Sequence, residues 1–162
     1  MKIVSNTGPI IGLAKINRLS ILKELAGEIL IPPMVHRELL AKIGDEASLI
    51  DEALNSFIRI SPVPPLDPSV KTIIADLDAG EGHAIGLAST FSGDALLLLD
   101  DRAGRTAAER LKIPTTGLIG LLLLAKERGI ITKVCEYISE LREQGYWLSD
   151  RVVEIARQLA GE

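Results

Sequence analysis

Four acidic residues stand where separate parts of a folded chain could bring them together: Glu38, Glu81, Asp100 and Asp101. A fifth candidate, the neutral Asn6, follows the first apolar segment. Clustered carboxylates repel one another unless a cation joins them, and hard ions such as Mg²⁺ prefer oxygen ligands. Such an ion orients an attacking water, lowers its pKa and stabilises charge at a phosphate. These residue types therefore predict a metal-dependent phosphodiesterase.

Two of the candidate positions follow predicted strands. Asn6 comes directly after a strand pattern at Lys2–Ser5, and Asp100 and Asp101 follow the unbroken apolar run Ala95–Leu99. Runs of this kind are typical of central parallel strands that are buried on both faces. Because ligands bind beyond the carboxyl ends of such strands, we expect these residues to lie at one edge of the sheet. Asn6 as a turn residue with a local hydrogen bond is the alternative.

Glu81 is predicted to point inward from the first turn of a helix that opens at Ala79-Gly80. It precedes Ala84, Ile85 and Ala88 by three, four and seven residues, so it shares their apolar face. Burying a glutamate without a partner is costly, which favours a functional role. The alternative is a surface glutamate stabilised by the helix dipole.

Glu38 belongs to a predicted helix with Pro33 as its first residue. It shares a stripe with Val35 and Leu39, which again places a carboxylate on an inward face. The alternative is an exposed glutamate paired with Lys42 at a spacing of four residues.

The remaining segments alternate between strand and helix patterns, with Gly8-Pro9 predicted as a turn and Ser61–Pro68 as a rigid loop. This order predicts a three-layer α/β/α fold with a central parallel sheet of about four or five strands. The other predicted strands are Glu28–Ile31, Phe57–Ile60 and Ile113–Thr115. The other predicted helices are Ile10–Leu25 (one helix, or two broken near Asn17), Glu46–Leu54, Gly117–Arg128, Lys133–Gln144 and Ser149–Ala160.

Composition supports a folded domain and restricts its partners. A chain of 162 residues that is 47% hydrophobic predicts one domain, residues 1–162, with a substantial core. The net charge of −4 disfavours broad, non-specific binding to nucleic acid. A single cysteine, Cys135, suits a reducing compartment. The longest apolar run, Leu118–Ala125, is too short for a membrane span, and no signal peptide is apparent, so we expect a cytoplasmic protein without membrane contact.

Other polar side chains near the acids have less specific interpretations. His36 and His83 each lie two residues from a candidate glutamate and thus face elsewhere, which predicts surface or packing roles. Arg102 and Arg105 either contact a substrate phosphate or pair with the neighbouring acids.

The aromatic pair Tyr146 and Trp147 precedes the last predicted helix. These side chains could stack on a nucleic-acid base. Packing of the last helix onto the body of the protein is the role that we predict for them.

Several segments, taken in order, resemble the PIN-domain superfamily, the fold of the toxin ribonucleases of prokaryotic VapBC-type toxin–antitoxin pairs. The similarity covers nearly the whole chain and is greatest to an uncharacterised PIN-like branch. It is carried by Ser5–Ile11, Ile31–Leu39, Gly80–Ala88, Leu99–Arg102 and Gly145–Asp150.

The resemblance implies an endoribonuclease site that depends on Mg²⁺ or Mn²⁺. Glu38 and Glu81 fall on the second and third acidic positions of the superfamily. Asp101 matches the acid after the late strand, with Asp100 beside it as a helper or alternative. All four are thus candidate catalytic and metal-binding residues.

Asn6 falls on the position of the first acid and departs from the superfamily pattern. It offers a carbonyl oxygen to a metal and contributes no charge. Thr7 would support the site through its hydroxyl, and Arg102 and Arg105 would contact the substrate.

Two functions follow from the resemblance. The first is an RNA-cleaving enzyme that acts as the toxin of a toxin–antitoxin pair. We also expect a homodimer, because PIN-like domains often pair. The second is a catalytically impaired module that binds RNA or protein, because Asn6 replaces the usual aspartate. A receiver-type phosphotransfer domain is disfavoured, since it needs an acidic pair near the first strand, where Ser5 and Asn6 stand.

Overall fold

A five-stranded parallel sheet lies at the centre of the fold and is flanked by helices. The computed structural model describes residues 2–42 and 44–162. The predicted α/β architecture with a parallel sheet is confirmed, at the upper end of the predicted strand number. Within the described residues, the strands are β1 (Lys2–Ser5), β2 (Ile29–Ile31), β3 (Ile58–Ile60), β4 (Ala95–Leu98) and β5 (Thr115–Thr116).

The helices begin and end close to the predicted positions, with two exceptions. The turn predicted at Gly8-Pro9 is wrong: both residues lie in the first turn of a helix, where the missing N–H of Pro9 needs no partner. A short helix that begins at Pro68 was not predicted. The ten helices of the described residues are α1 (Thr7–Lys15), α2 (Ser20–Ala26), α3 (Pro33–Leu40), α4 (Glu46–Leu54), α5 (Pro68–Ile74), α6 (Ala79–Ser89), α7 (Arg102–Arg110), α8 (Leu118–Glu127), α9 (Val134–Glu143) and α10 (Asp150–Ala160).

The strand order creates a crevice beside the first strand. The order across the sheet is β3-β2-β1-β4-β5, and every neighbouring pair is parallel. The chain leaves β1 toward β2 on one side and leaves β4 toward β5 on the other, so the connections diverge between β1 and β4. Ligands of open parallel sheets bind beyond the carboxyl ends of the strands at such a switch point. Asn6 lies there, and its N–H donates to the carbonyl of Leu98 at 3.0 Å.

Alternating side chains of the central strands divide the core into two layers. Ile3 and Leu98 pack with α1, α2, α8 and α9 on one face, whereas Val4, Leu97 and Leu99 pack with α6 and α7 on the other. This double burial explains why the strands are apolar without interruption. Each fully buried leucine of this kind contributes roughly 2 kcal/mol of transfer free energy.

Helix α6 is inserted deeply between its neighbours. From Gly80 to Ala88, every residue except His83 is buried. A helix buried on nearly all sides carries even its first turn into the interior, and this turn contains Glu81. None of the helices in residues 2–42 and 44–162 is long and apolar enough to span a bilayer.

Candidate metal centre

Asn6 presents an unsatisfied oxygen at the end of β1. The residue is the N-cap of α1 in an extended conformation, and its side chain makes no capping hydrogen bond. Its Oδ1 atom is buried and has no hydrogen-bond partner within the described residues. Leaving a carbonyl buried and unpaired costs about 1–3 kcal/mol. The local hydrogen bond expected of a turn asparagine is therefore not formed in this part of the chain, and the oxygen is available to a ligand.

Glu38 lies over the first turn of α6 and is held by Thr7. The Thr7 hydroxyl donates to Glu38 Oε2 at 2.6 Å. The other carboxylate oxygen, Oε1, lies 2.2 Å from the position that a Cβ would take at Gly80. Because Gly80 has no side chain, the Glu38 carboxylate can lie against the backbone of α6 next to Glu81. No ion pair between Glu38 and Lys42 forms among the described residues.

Glu81 is the most perturbed acid of the site. Its side chain is only 5% exposed, which contradicts the alternative of a surface glutamate. Burial, followed by the negative charges of Asp78 and Asp101 and hydrogen bonds with their carboxyls, raises the pKa of Glu81 to about 8. A carboxyl with this pKa holds a proton at neutral pH unless a cation replaces it.

Asp78 was not among the residues singled out from the sequence. It is the N-cap of α6, and its Oδ1 accepts a hydrogen bond from the Glu81 N–H at 3.0 Å. The pattern Asp-x-x-Glu at a helix start is a capping-box signature, so the sequence did contain a signal for it. The cap fixes the start of α6 and brings a second negative charge next to Glu81.

Asp101 connects the late strand to the same cluster. It is the N-cap of α7, and its Oδ2 accepts from the Gly104 N–H at 3.1 Å, as predicted for one of the two adjacent aspartates. Glu81 Oε1 lies 3.4 Å from the Cβ position at Gly104. Glu81 therefore lies beside the first turn of α7, and its carboxyl hydrogen-bonds with that of Asp101.

Asp100 turns toward β5 and α8 instead. The Leu118 N–H donates to its Oδ1 at 2.9 Å, and the Tyr146 hydroxyl donates to its Oδ2. Burial raises the pKa of Asp100, opposed by the Leu118 hydrogen bond and the charge of Arg105. Its two oxygens are thus engaged by the chain itself, away from Glu81. The Tyr146 contact joins residues 46 positions apart and had no sequence signal.

The remaining candidates lie around this core. Arg105 donates from Nη2 to the Asp100 carbonyl at 3.1 Å, and both Arg105 and Arg102 are exposed beside the site. His83 is exposed and His36 is half-buried, in line with the surface or packing roles predicted for them.

Trp147 does not pack onto the body of the protein, so this prediction is wrong. Its side chain is 83% exposed. Tyr146 supplies the packing alone: its ring faces Gly12 of α1, where an added Cβ would lie 3.1 Å from the ring.

Residues 2–162 match the DUF3368 family, which is described as a PIN domain. The chain belongs to this family. The predicted kinship is therefore confirmed, and PIN domains are typically metal-dependent. No curated protein matches the sequence.

The oxygens at the switch point of this PIN domain fit a hard divalent cation. In the described part of the chain, no three His, Cys, Asp or Glu side chains lie close enough to form a ready-made metal site. The available donors are nevertheless all oxygens, the ligand type of Mg²⁺ and Mn²⁺. Asn6 Oδ1 has no hydrogen-bond partner within the described residues, and burial, followed by the charges of Asp78 and Asp101, raises the pKa of Glu81.

We expect Gly80→Ala to displace the Glu38 carboxylate of the PIN domain without unfolding it. The new methyl group would overlap the flexible end of Glu38 rather than backbone, and alanine favours a helix by roughly 1 kcal/mol. Isothermal titration with Mn²⁺ should show a weaker affinity, by about tenfold if one carboxylate ligand is lost. The matched control is Gly82→Ala in the same helix, where the nearest atom is at 3.5 Å. Equal affinities of the two variants would contradict a role for Glu38.

Proposed function

We propose that this PIN domain is a metal-dependent endoribonuclease that holds Mg²⁺ or Mn²⁺ among Asn6, Glu38, Glu81 and Asp101. The observation that carries the proposal is the buried Glu81 between Asp78 and Asp101 at the switch point of the sheet. A buried acid flanked by two like charges is unfavourable in a purely structural role. Perturbed carboxyls in such a position are candidates for chemistry.

The chain's own residues would each have a defined part. A bound divalent ion supplies positive charge for the phosphate and a water of lowered pKa. Glu81 would hold the ion in its ionised form, its proton having passed to solvent, while Thr7 keeps Glu38 in one orientation and the cap to Gly104 fixes Asp101. Arg102 and Arg105 lie beside the acids and would contact phosphates of the RNA.

Asp100 has a positioning role in this proposal. Its hydrogen bonds with Leu118 and Tyr146 support that assignment, because they direct the carboxylate toward α8 and the segment before α10. Asp101 is then the acid of the adjacent pair that binds metal, and Asp100 fixes the backbone that precedes it.

A second candidate function is a PIN domain with impaired catalysis that binds RNA or a protein. Asn6 favours it, because a neutral amide attracts a divalent ion less strongly than the usual aspartate.

The nuclease proposal has three further parts. They are the toxin role with an antitoxin protein as partner, a homodimeric state and a cytoplasmic location. They rest on kinship with the PIN domains.

A cleavage assay on labelled single-stranded RNA tests the nuclease proposal. We expect cleavage in Mn²⁺ or Mg²⁺, none in EDTA, and recovery when metal is returned. Glu81→Gln, purified in the same way, controls for a contaminating ribonuclease and should not cleave. Cleavage that persists in EDTA, or equal cleavage by Glu81→Gln, would overturn the proposal.

A further inference from the structure

A groove of about 530 Å³ lies next to the metal centre on the side of β5 and α8. Asp100, Arg105, Tyr146 and Trp147 are among the residues that line it. Because Asp100 lines the groove and directly precedes Asp101, the groove adjoins the chain segment that follows β4 and carries this candidate ligand. A linear substrate lying in the groove would therefore reach the acids.

Trp147 is held in its exposed position from both sides. On one side, Tyr146 packs against Gly12 and hydrogen-bonds Asp100. On the other, Arg142 Nη2 donates to the carbonyl of Leu148 at 2.7 Å. The indole, which belongs to the only tryptophan of the chain, is thus presented to solvent by a backbone fixed on both sides. An exposed aromatic ring on a fixed backbone is suited to stacking on a flat partner.

Arg105 supplies positive charge to the same groove. Its Nη2 atom donates to the Asp100 carbonyl at 3.1 Å and lies 3.6 Å from the Cβ position at Gly117. The Asp100 carboxylate already accepts hydrogen bonds from Leu118 and Tyr146, so the guanidinium keeps donors for another anion. Glycine at position 117 leaves room for the Asp100 carboxylate, whose Oδ1 lies where a Cβ of residue 117 would stand.

We propose that this groove is a nucleotide subsite for single-stranded RNA, in which one base stacks on Trp147 and a neighbouring phosphate contacts Arg105. The subsite rests on the proposed function in one respect, namely that RNA is the substrate. An exposed indole and a guanidinium in one groove, beside the candidate acids, match a base and a phosphate of one nucleic-acid strand. Self-association through the same residues is the competing outcome that the test below separates.

Binding measured in EDTA separates this subsite from catalysis. Trp147 is the only indole, so its fluorescence reports the groove directly. We expect quenching on titration with a short single-stranded oligouridine, with the same saturation point as the anisotropy of a fluorescein-labelled copy. Binding without cleavage in metal would leave the subsite standing and remove the nuclease proposal. Cleavage with no change in Trp147 fluorescence would support the nuclease proposal and overturn the subsite.

Two variants distinguish stacking from charge. Trp147→Ala should weaken oligouridine binding about tenfold, the usual range for loss of one stacked base, and Trp147→Phe should restore most of the affinity. The logarithm of the binding constant falls linearly with the logarithm of the salt concentration. Arg105→Gln should make this fall less steep by about 0.7, whereas Trp147→Ala should leave it unchanged.

The matched control is Leu159→Ala. The side chain of Leu159 is also apolar and 71% exposed, and it lies outside the groove. It should bind RNA as the natural chain does. If Leu159→Ala and Trp147→Ala lose RNA affinity equally, the subsite is overturned. It is also overturned if the fluorescence of Trp147 changes with protein concentration and not with RNA, because that result would indicate self-association.

Discussion

Glu81→Gln is expected to abolish metal-dependent cleavage and, at the same time, to stabilise the metal-free protein at neutral pH. Both effects have one cause. Glu81 is buried beside Asp78 and Asp101, and these surroundings raise its pKa from 4.5 to about 8. Glutamine keeps the shape of the side chain and cannot ionise, so folding no longer requires the uptake of a proton, and the metal loses a carboxylate ligand.

The pH dependence of unfolding checks this expectation. Between pH 4.5 and about 8, the folded protein holds a proton on Glu81 that the unfolded chain has lost. Stability contributed by this group is therefore complete below pH 4.5 and declines as the pH rises toward 8. At about 1.4 kcal/mol per pH unit, the gain of Glu81→Gln in free energy of unfolding reaches at most about 3 kcal/mol at pH 7.

Urea unfolding in EDTA at a series of pH values measures the difference. Glu136→Gln is the control, because Glu136 is an exposed first-turn glutamate of α9. Its unfolding should depend on pH as in the natural chain. If the free energies of unfolding of Glu81→Gln and of the natural chain change in parallel over the whole pH range, Glu81 does not carry the extra proton.

Asn6→Asp is expected to raise the affinity for Mn²⁺ by about tenfold or more, since one additional charge at a ligand position contributes at least 1–2 kcal/mol. The variant replaces a buried oxygen that has no hydrogen-bond partner within the described residues by a carboxylate at the proposed metal site. Without metal, the new charge should lower the free energy of unfolding, and Mn²⁺ should restore it.

Calorimetric titration and the cleavage rate together decide between the two candidate functions. Asn55→Asp, at the exposed end of α4, carries the same change of charge away from the site and should alter neither quantity. A rate that rises with Asn6→Asp would show that the natural site is impaired. If the natural chain already cleaves as fast, the impaired-module alternative fails. An unchanged Mn²⁺ affinity would remove Asn6 from the metal centre.

The sequence was most informative where a local pattern governs the outcome. The spacing of Glu81 from Ala84, Ile85 and Ala88 predicted an inward carboxylate, and α6 buries it. The apolar run that precedes Asp100 predicted a central strand, with an aspartate capping the next helix, and Asp101 does so. Helical and strand periodicities depend on near neighbours only, so they can be recognised without the fold.

Contacts between distant segments were beyond such reasoning. The strand order, which brings Asn6 next to the end of β4, depends on how the crossovers pack. Likewise, the hydrogen bond of Tyr146 to Asp100 spans 46 residues and engages the one of the two adjacent aspartates that turns away from Glu81. The exposure of Trp147 follows from that same contact, because Tyr146 takes the packing position.

A crystal structure of the natural chain soaked in Mn²⁺, with anomalous diffraction data, tests the central claim most directly. We expect an anomalous peak at the switch point between β1 and β4, with oxygens of Glu81 and Asp101 about 2 Å from the ion and Asn6 Oδ1 or Glu38 completing the set. Soaking with EDTA should remove the peak. An occupied manganese site elsewhere, with Glu81 still hydrogen-bonded to Asp78 and Asp101 and no peak between them, would contradict the claim.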